Sequence, residues 1–87
     1  MADGHRIAAY VLLKIAPGKS RAITEEISKL DGVRSDHPVT SMFDIIAYVE
    51  APDINTLTGI VRGRIQTIDG VRRAHTAIVG ELVTTGD

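Results

Sequence analysis

Hydrophobic and polar positions along the chain change period several times, and each change marks an element. The aliphatic run Ile7 to Ile15 (IAAYVLLKI) stops at Pro17-Gly18, which predicts a strand followed by a turn. From Lys19 to Leu30 the apolar residues Ile23, Ile27 and Leu30 recur at i, i+4 and i+7, with Glu25, Glu26 and Lys29 on other faces. That spacing predicts an amphipathic helix. Val33 to Thr40 is short and polar, and Pro38 lacks a backbone donor, which suits an edge strand. Phe43 to Glu50 (FDIIAYVE) is again strongly β-like. Pro52-Asp53 then opens a second helix, with Asp53 placed to accept from free amides of its first turn. This helix runs to about Ile68, with Ile54, Leu57, Val61, Ile65 and Ile68 on one face and Asn55, Arg62 and Gln66 opposite. Val71 to Val79 closes the pattern as a strand.

The tetrad DGVR occurs twice, at Asp31 to Arg34 and at Asp69 to Arg72, each time where a helix ends and a strand begins. Gly32 and Gly70 fall where a left-handed residue ends a helix, and the following valine starts a strand. The repeat is therefore punctuation. Two β-α-β units with like junctions predict an α+β, ferredoxin-like βαββαβ fold with an antiparallel sheet of order 4-1-3-2. Residues 7–79 form the single domain, 1–6 a flexible N-terminus, and 80–87 a C-terminal tail in which ELVT adds a short strand.

Two helices cover only one face of such a sheet, yet strand one is apolar on both. Ile7, Ala9, Val11, Leu13 and Ile15 alternate with Ala8, Tyr10 and Leu12, and in strand three Phe43, Ile45, Ala47 and Val49 alternate with Asp44, Ile46 and Tyr48. A second copy laid sheet to sheet is the simplest cover, so a homodimer of the dimeric α/β-barrel kind is expected.

Composition narrows the function. At 44% hydrophobic and 24% charged residues with a net charge of −1, the chain lacks the basic excess of a sequence-independent nucleic-acid binder. It contains no cysteine, which removes thiol catalysis and zinc-thiolate sites. No apolar run approaches the roughly 20 residues of a membrane span, and a cytoplasmic location is expected. His5, His37 and His75 share no ligand spacing, so neither a metal nor another cofactor is expected. Gly59 and Gly63 make a GxxxG in the second helix, and Arg62, Arg64, Arg72 and Arg73 form a local basic group, read as a solvated face.

The ordered set AYVLLKIAPGK, KLDGVRS, VTSMFDIIAYVEAPD and IQTIDGVRRAHTAIV resembles the effector-binding domain of the Lrp/AsnC family of transcriptional regulators, from about Ile7 to Val79. The resemblance implies a ferredoxin-like domain that dimerises through its sheets, assembles further into tetramers to octamers, and binds a small effector, usually an amino acid, between dimers. Full-length members carry a helix-turn-helix DNA reader before this domain. Only six residues precede strand one here, so the chain resembles stand-alone members, with a DNA-binding relative as a candidate partner.

The family loop between strands two and three reads T-G-x-Y-D, and here the stretch is Thr40, Ser41, Met42, Phe43, Asp44. Ser41 replaces the glycine and Phe43 keeps the aromatic without its hydroxyl. Thr76, with its neighbour His75 in the last strand, also matches the family pattern. The resemblance implies that Asp44 pairs with an effector ammonium group, and that hydroxyls of Thr40, Ser41 and Thr76 with loop amides take its carboxylate. Met42 adds adaptable apolar contact. The competing class is a small dimeric α/β-barrel enzyme, a monooxygenase or isomerase working through Tyr10, Tyr48 or His75. An amino-acid-binding module of the ACT type shares the same element order, but the Gly-rich turn after its first strand is only weakly echoed by Pro17-Gly18.

Overall fold

The computed structural model describes residues 5–83, and side chains over 6–79. Its elements are β1 (His5–Ile15), α1 (Ser20–Ser28), β2 (Val33–Pro38), β3 (Ile45–Ala51), α2 (Ile54–Ile60), a π-helical turn (Val61–Ile65) and β4 (Val71–Val83). The sheet is antiparallel throughout, in the order β2-β3-β1-β4. This is the expected ferredoxin-like α+β topology, with the two most apolar strands central and Pro38 closing an edge strand.

Boundaries differ from expectation at both ends. β1 begins at His5, and β4 continues through 80–83 beside it, pairing Glu81 with Ile7 and Val83 with His5. Glu81 to Val83 of the ELVT segment thus prolong the last strand, with a bulge where Ala8 and Ala9 face Gly80 and Ile78. The rest of the expected loose ends, 1–4 and 84–87, lies outside the described residues.

Strand alternation puts Ala9, Val11, Leu13 and Ile15 of β1 and Ile45, Ala47, Val49 and Ala51 of β3 under the helices. Ile23 and Ile27 of α1 and Leu57, Val61 and Ile65 of the second helix complete this core. Leu57, Val61 and Ile65 are spaced four apart, and an α-helix of about 3.6 residues per turn would rotate each by roughly 40° off the last. The π turn absorbs that drift: the Gln66 amide donates to the Val61 carbonyl at 2.8 Å, and all three side chains reach the core. Ile54 does not join them. It is 46% exposed on the first helical turn, and Ile60 packs against the core instead. Asp53 caps as expected, its side chain accepting from the Thr56 amide at 2.7 Å, and that bond holds its carboxyl below the ordinary range.

Gly32 and Gly70 have φ of 93° and 98°, the left-handed geometry their position requires. Each also binds the opposite half of the chain. The Gly32 carbonyl accepts from the Glu50 amide, and the Gly70 carbonyl from the Ala16 amide, both at 2.8 Å. Lys19, just before α1, reaches Asp69 at 2.8 Å, which lowers the Asp69 carboxyl from its usual value.

On edge strand β2, Asp36 stands opposite Ala47 and so faces the helix side. Burial raises its carboxyl above the ordinary value of 3.8, with the neighbouring His37 charge pulling the other way, and its Oδ2 is buried without a partner. A folded-state value above the unfolded one means that stability is full below the unfolded value and falls as pH rises through the folded one. Asp36→Asn is therefore expected to raise the melting temperature at pH 7, by up to about 4 °C, and to leave it unchanged near pH 3. Thermal melts of both proteins across pH check this, and a gain of equal size at pH 3 would contradict it.

Candidate functional site

The connection from β2 to β3 is fixed to the end of β1 by main-chain bonds. The Asp44 amide donates to the Leu13 carbonyl at 2.7 Å, and the Val39 amide to the Asp44 carbonyl at 2.9 Å. The Asp44 side chain has a local task as well: Oδ2 accepts from the Ile15 amide at 3.0 Å, beside the irregularity where β1 and β4 shift register. Ser41 closes the tip, its Oγ accepting from the Phe43 amide at 3.1 Å. Among the described residues no non-glycine has a positive φ, so Ser41 stands in the glycine position of T-G-x-Y-D without backbone strain. Met42 is 80% exposed at the crest, and Thr40 is exposed beside it.

The sequence-derived site residues divide between two faces. Phe43 stacks on His75, with centroids 6.1 Å apart and planes inclined by 28°. His75 lies opposite Leu12 and so faces the uncovered side of the sheet. Thr76 lies opposite the buried Val11 and faces the helices. The structure brings Thr40 to Asp44 together with His75, and it does not bring Thr76 to them.

Beside Asp44 opens a cleft of about 480 Å³, lined also by Lys14 and Ile15 of β1, the 16–18 turn, Ser20, Pro38, Val39 and Arg72. Lys14 and Arg72 went unassigned to any site on sequence grounds. The bulge that carries Arg72, between Lys14 paired to Arg73 and Ile15 paired to Val71, has no signature in a single sequence. The cleft thus presents one carboxylate and two cations. An ammonium group and a carboxylate on one small molecule find partners of opposite sign there.

The uncovered sheet face carries Tyr10 and Tyr48, paired across β1 and β3 with ring centroids 5.0 Å apart, and Leu12 and Ile46 beyond them. At its far end Glu50 accepts from Arg34 Nε at 3.1 Å, and Arg6 Nε lies 3.4 Å away. Among the described residues no three His, Cys, Asp or Glu side chains converge as a metal set, and no helix is long and apolar enough to cross a membrane.

Comparison with known proteins gives the family of the chain. The sequence profile of the Lrp/AsnC ligand-binding domain matches residues 8–85. An HTH-type transcriptional regulator of Pyrococcus abyssi, itself uncharacterised, is 32% identical over 83 residues, 95% of this chain and 52% of that protein. The chain thus spans about half the length of this curated relative. A crystal structure from Thermus thermophilus superposes with a TM-score of 0.82 at 30% identity, covering 85% of this chain and 92% of the other. A Neisseria meningitidis transcriptional regulator solved as an L-Met complex gives 0.77 at 20% identity, covering 85% and 49%, a likeness of fold.

Proposed function

We propose that this chain, which belongs to the Lrp/AsnC family of ligand-binding domains of transcriptional regulators, binds an amino acid in the cleft beside Asp44 and assembles through its sheet. The observation that carries the reading is that Asp44, Lys14 and Arg72 line one cleft of about 480 Å³. Asp44 takes the ammonium group, and its bond from the Ile15 amide holds the carboxylate in place before the ligand arrives. Lys14 and Arg72 take the carboxylate. Thr40, Ser41, Met42 and Phe43 precede Asp44 in the same connection, and His75 stacks on Phe43. The L-Met complex of the Neisseria regulator supports a ligand of this class.

Assembly follows from the uncovered face. Tyr10, Leu12, Ile46 and Tyr48 meet their copies in a homodimer, higher oligomers bring two effector loops together, and a DNA-binding relative joins through the same contacts. Such a sensor acts in the cytoplasm. Membership in a family of regulator ligand-binding domains favours binding over turnover.

The test is calorimetric titration of a panel of amino acids against wild type and Asp44→Asn. Asparagine keeps an oxygen for the Ile15 amide and loses the charge, so stability changes by no more than about 1 kcal/mol while affinity falls at least about tenfold. Unchanged affinity would remove Asp44 from the site, and no heat from any amino acid would remove the effector class.

A further inference from the structure

One row of the uncovered sheet face carries an imidazole at each end. His37 of β2 is paired with Ile46 of β3, Ile46 with Leu12 of β1, and Leu12 with His75 of β4. Directly paired residues of antiparallel strands share a face, so all four side chains stand on the side away from the helices. Ile46 and Leu12 are partly buried, and both histidines are exposed on the single chain. We infer that this row makes self-association pH-sensitive: two sheets stay together while His37 and His75 are neutral and separate as acid charges them. The inference rests on the sheet-to-sheet assembly through Leu12 and Ile46 and adds what controls it.

On the free chain a charged imidazole is hydrated and costs little. In a two-fold assembly the row occurs twice, and a charge at either end loses water against apolar side chains of both copies. The groups around each ring decide whether anything compensates. Beside His37 on the same face are Ser35 of its own strand and, diagonally across on β3 and just before it, Tyr48 and Asp44, while the outer edge of β2 has no neighbour. The Asp44 carboxylate already accepts from the Ile15 amide at 3.0 Å. Asp36 stands on the helix side, so its attraction for His37 acts on monomer and dimer alike and drops out of the balance. Beside His75 are Arg73 and Ala77 of β4, Lys14 and Tyr10 of β1, and Phe43 stacked on the ring. A proton on His75 therefore adds to two cations. The monomer holds more protons than the dimer, and association weakens as pH falls through the range in which imidazoles charge.

The experiment is sedimentation equilibrium of the 87-residue protein from about pH 8 to about pH 5.5, with circular dichroism at each step. The dimer Kd is expected to rise at least about tenfold across that range while the dichroism stays constant. In the double variant His37→Gln, His75→Gln the Kd is expected not to change with pH, and each single variant keeps part of the response. Both side chains are exposed, so the substitutions leave the fold intact, which the dichroism verifies. A dimer with the same Kd at both ends of the range, or a double variant that responds like wild type, overturns the inference and leaves the sheet-to-sheet assembly standing. A protein that is monomeric at every pH overturns the assembly and the inference with it.

Discussion

Gly32→Ala is expected to destabilise the domain by about 3–5 kcal/mol, whereas Gly70→Ala costs only about 1–2 kcal/mol. The two glycines occupy the same place in the two DGVR copies and have nearly the same φ, so the backbone penalty for a side chain is shared. The surroundings differ. A Cβ at Gly32 would lie 2.9 Å from the Glu50 carbonyl oxygen and 2.8 Å from Ile60 Cδ1, and the oxygen belongs to a central strand that cannot move without its neighbours. At Gly70 the nearest atoms are Ile23 Cδ1 at 3.1 Å and Lys19 Cδ at 3.2 Å, the latter on a side chain that can swing aside. A domain of 87 residues has a total stability of about 4–13 kcal/mol, so the first substitution removes a large share of it. Urea titration of the two variants gives the comparison, and equal losses would show that φ alone decides.

Leu12→Asp is expected to abolish self-association while leaving the fold intact. Leu12 lies on the uncovered sheet face between Ile46 and His75 and is only partly buried in the single chain, so an aspartate there remains solvated in the monomer. In a two-fold assembly the same substitution enters the interface twice, and an unpaired charge buried at each costs about 3–5 kcal/mol. Sedimentation at micromolar concentration should then show monomer for the variant and dimer for wild type, with matching circular dichroism. A variant that remains dimeric would move the interface off this face.

The fold was legible because its signals are periodic. Ile23 and Ile27 at helical spacing, alternation through β1 and β3, Pro38 at an edge and glycine after each helix all specify the same topology. The π turn was not legible, because the four-residue spacing of Leu57, Val61 and Ile65 reads as an ordinary helix until the core demands all three side chains. Ile54 misleads for a related reason: it shares the helical phase but sits on the first turn, beyond the reach of the sheet. The candidate site was half legible. Thr40 to Asp44 form one structured connection, yet His75 and Thr76 are consecutive in a strand and so face opposite sides, a consequence of the two-residue period itself. Arg72 escaped notice because it is the extra residue of a register shift, and Lys14 because its place in β1 carries no signal that it lines a cleft with Asp44.

The crossed bonds of the two junction glycines also bear on how the chain opens. The Ala16 amide, just after β1, is held by the second half of the chain, and the Glu50 amide in β3 by a glycine of the first. Neither half can detach without breaking a bond that closes the other, which makes the domain one cooperative unit with no stable partial opening. Hydrogen exchange reads this directly. The amides of Ala16 and Glu50, 34 residues apart in sequence, should exchange at one common rate set by global unfolding, and the loop amides at 40–42 far sooner.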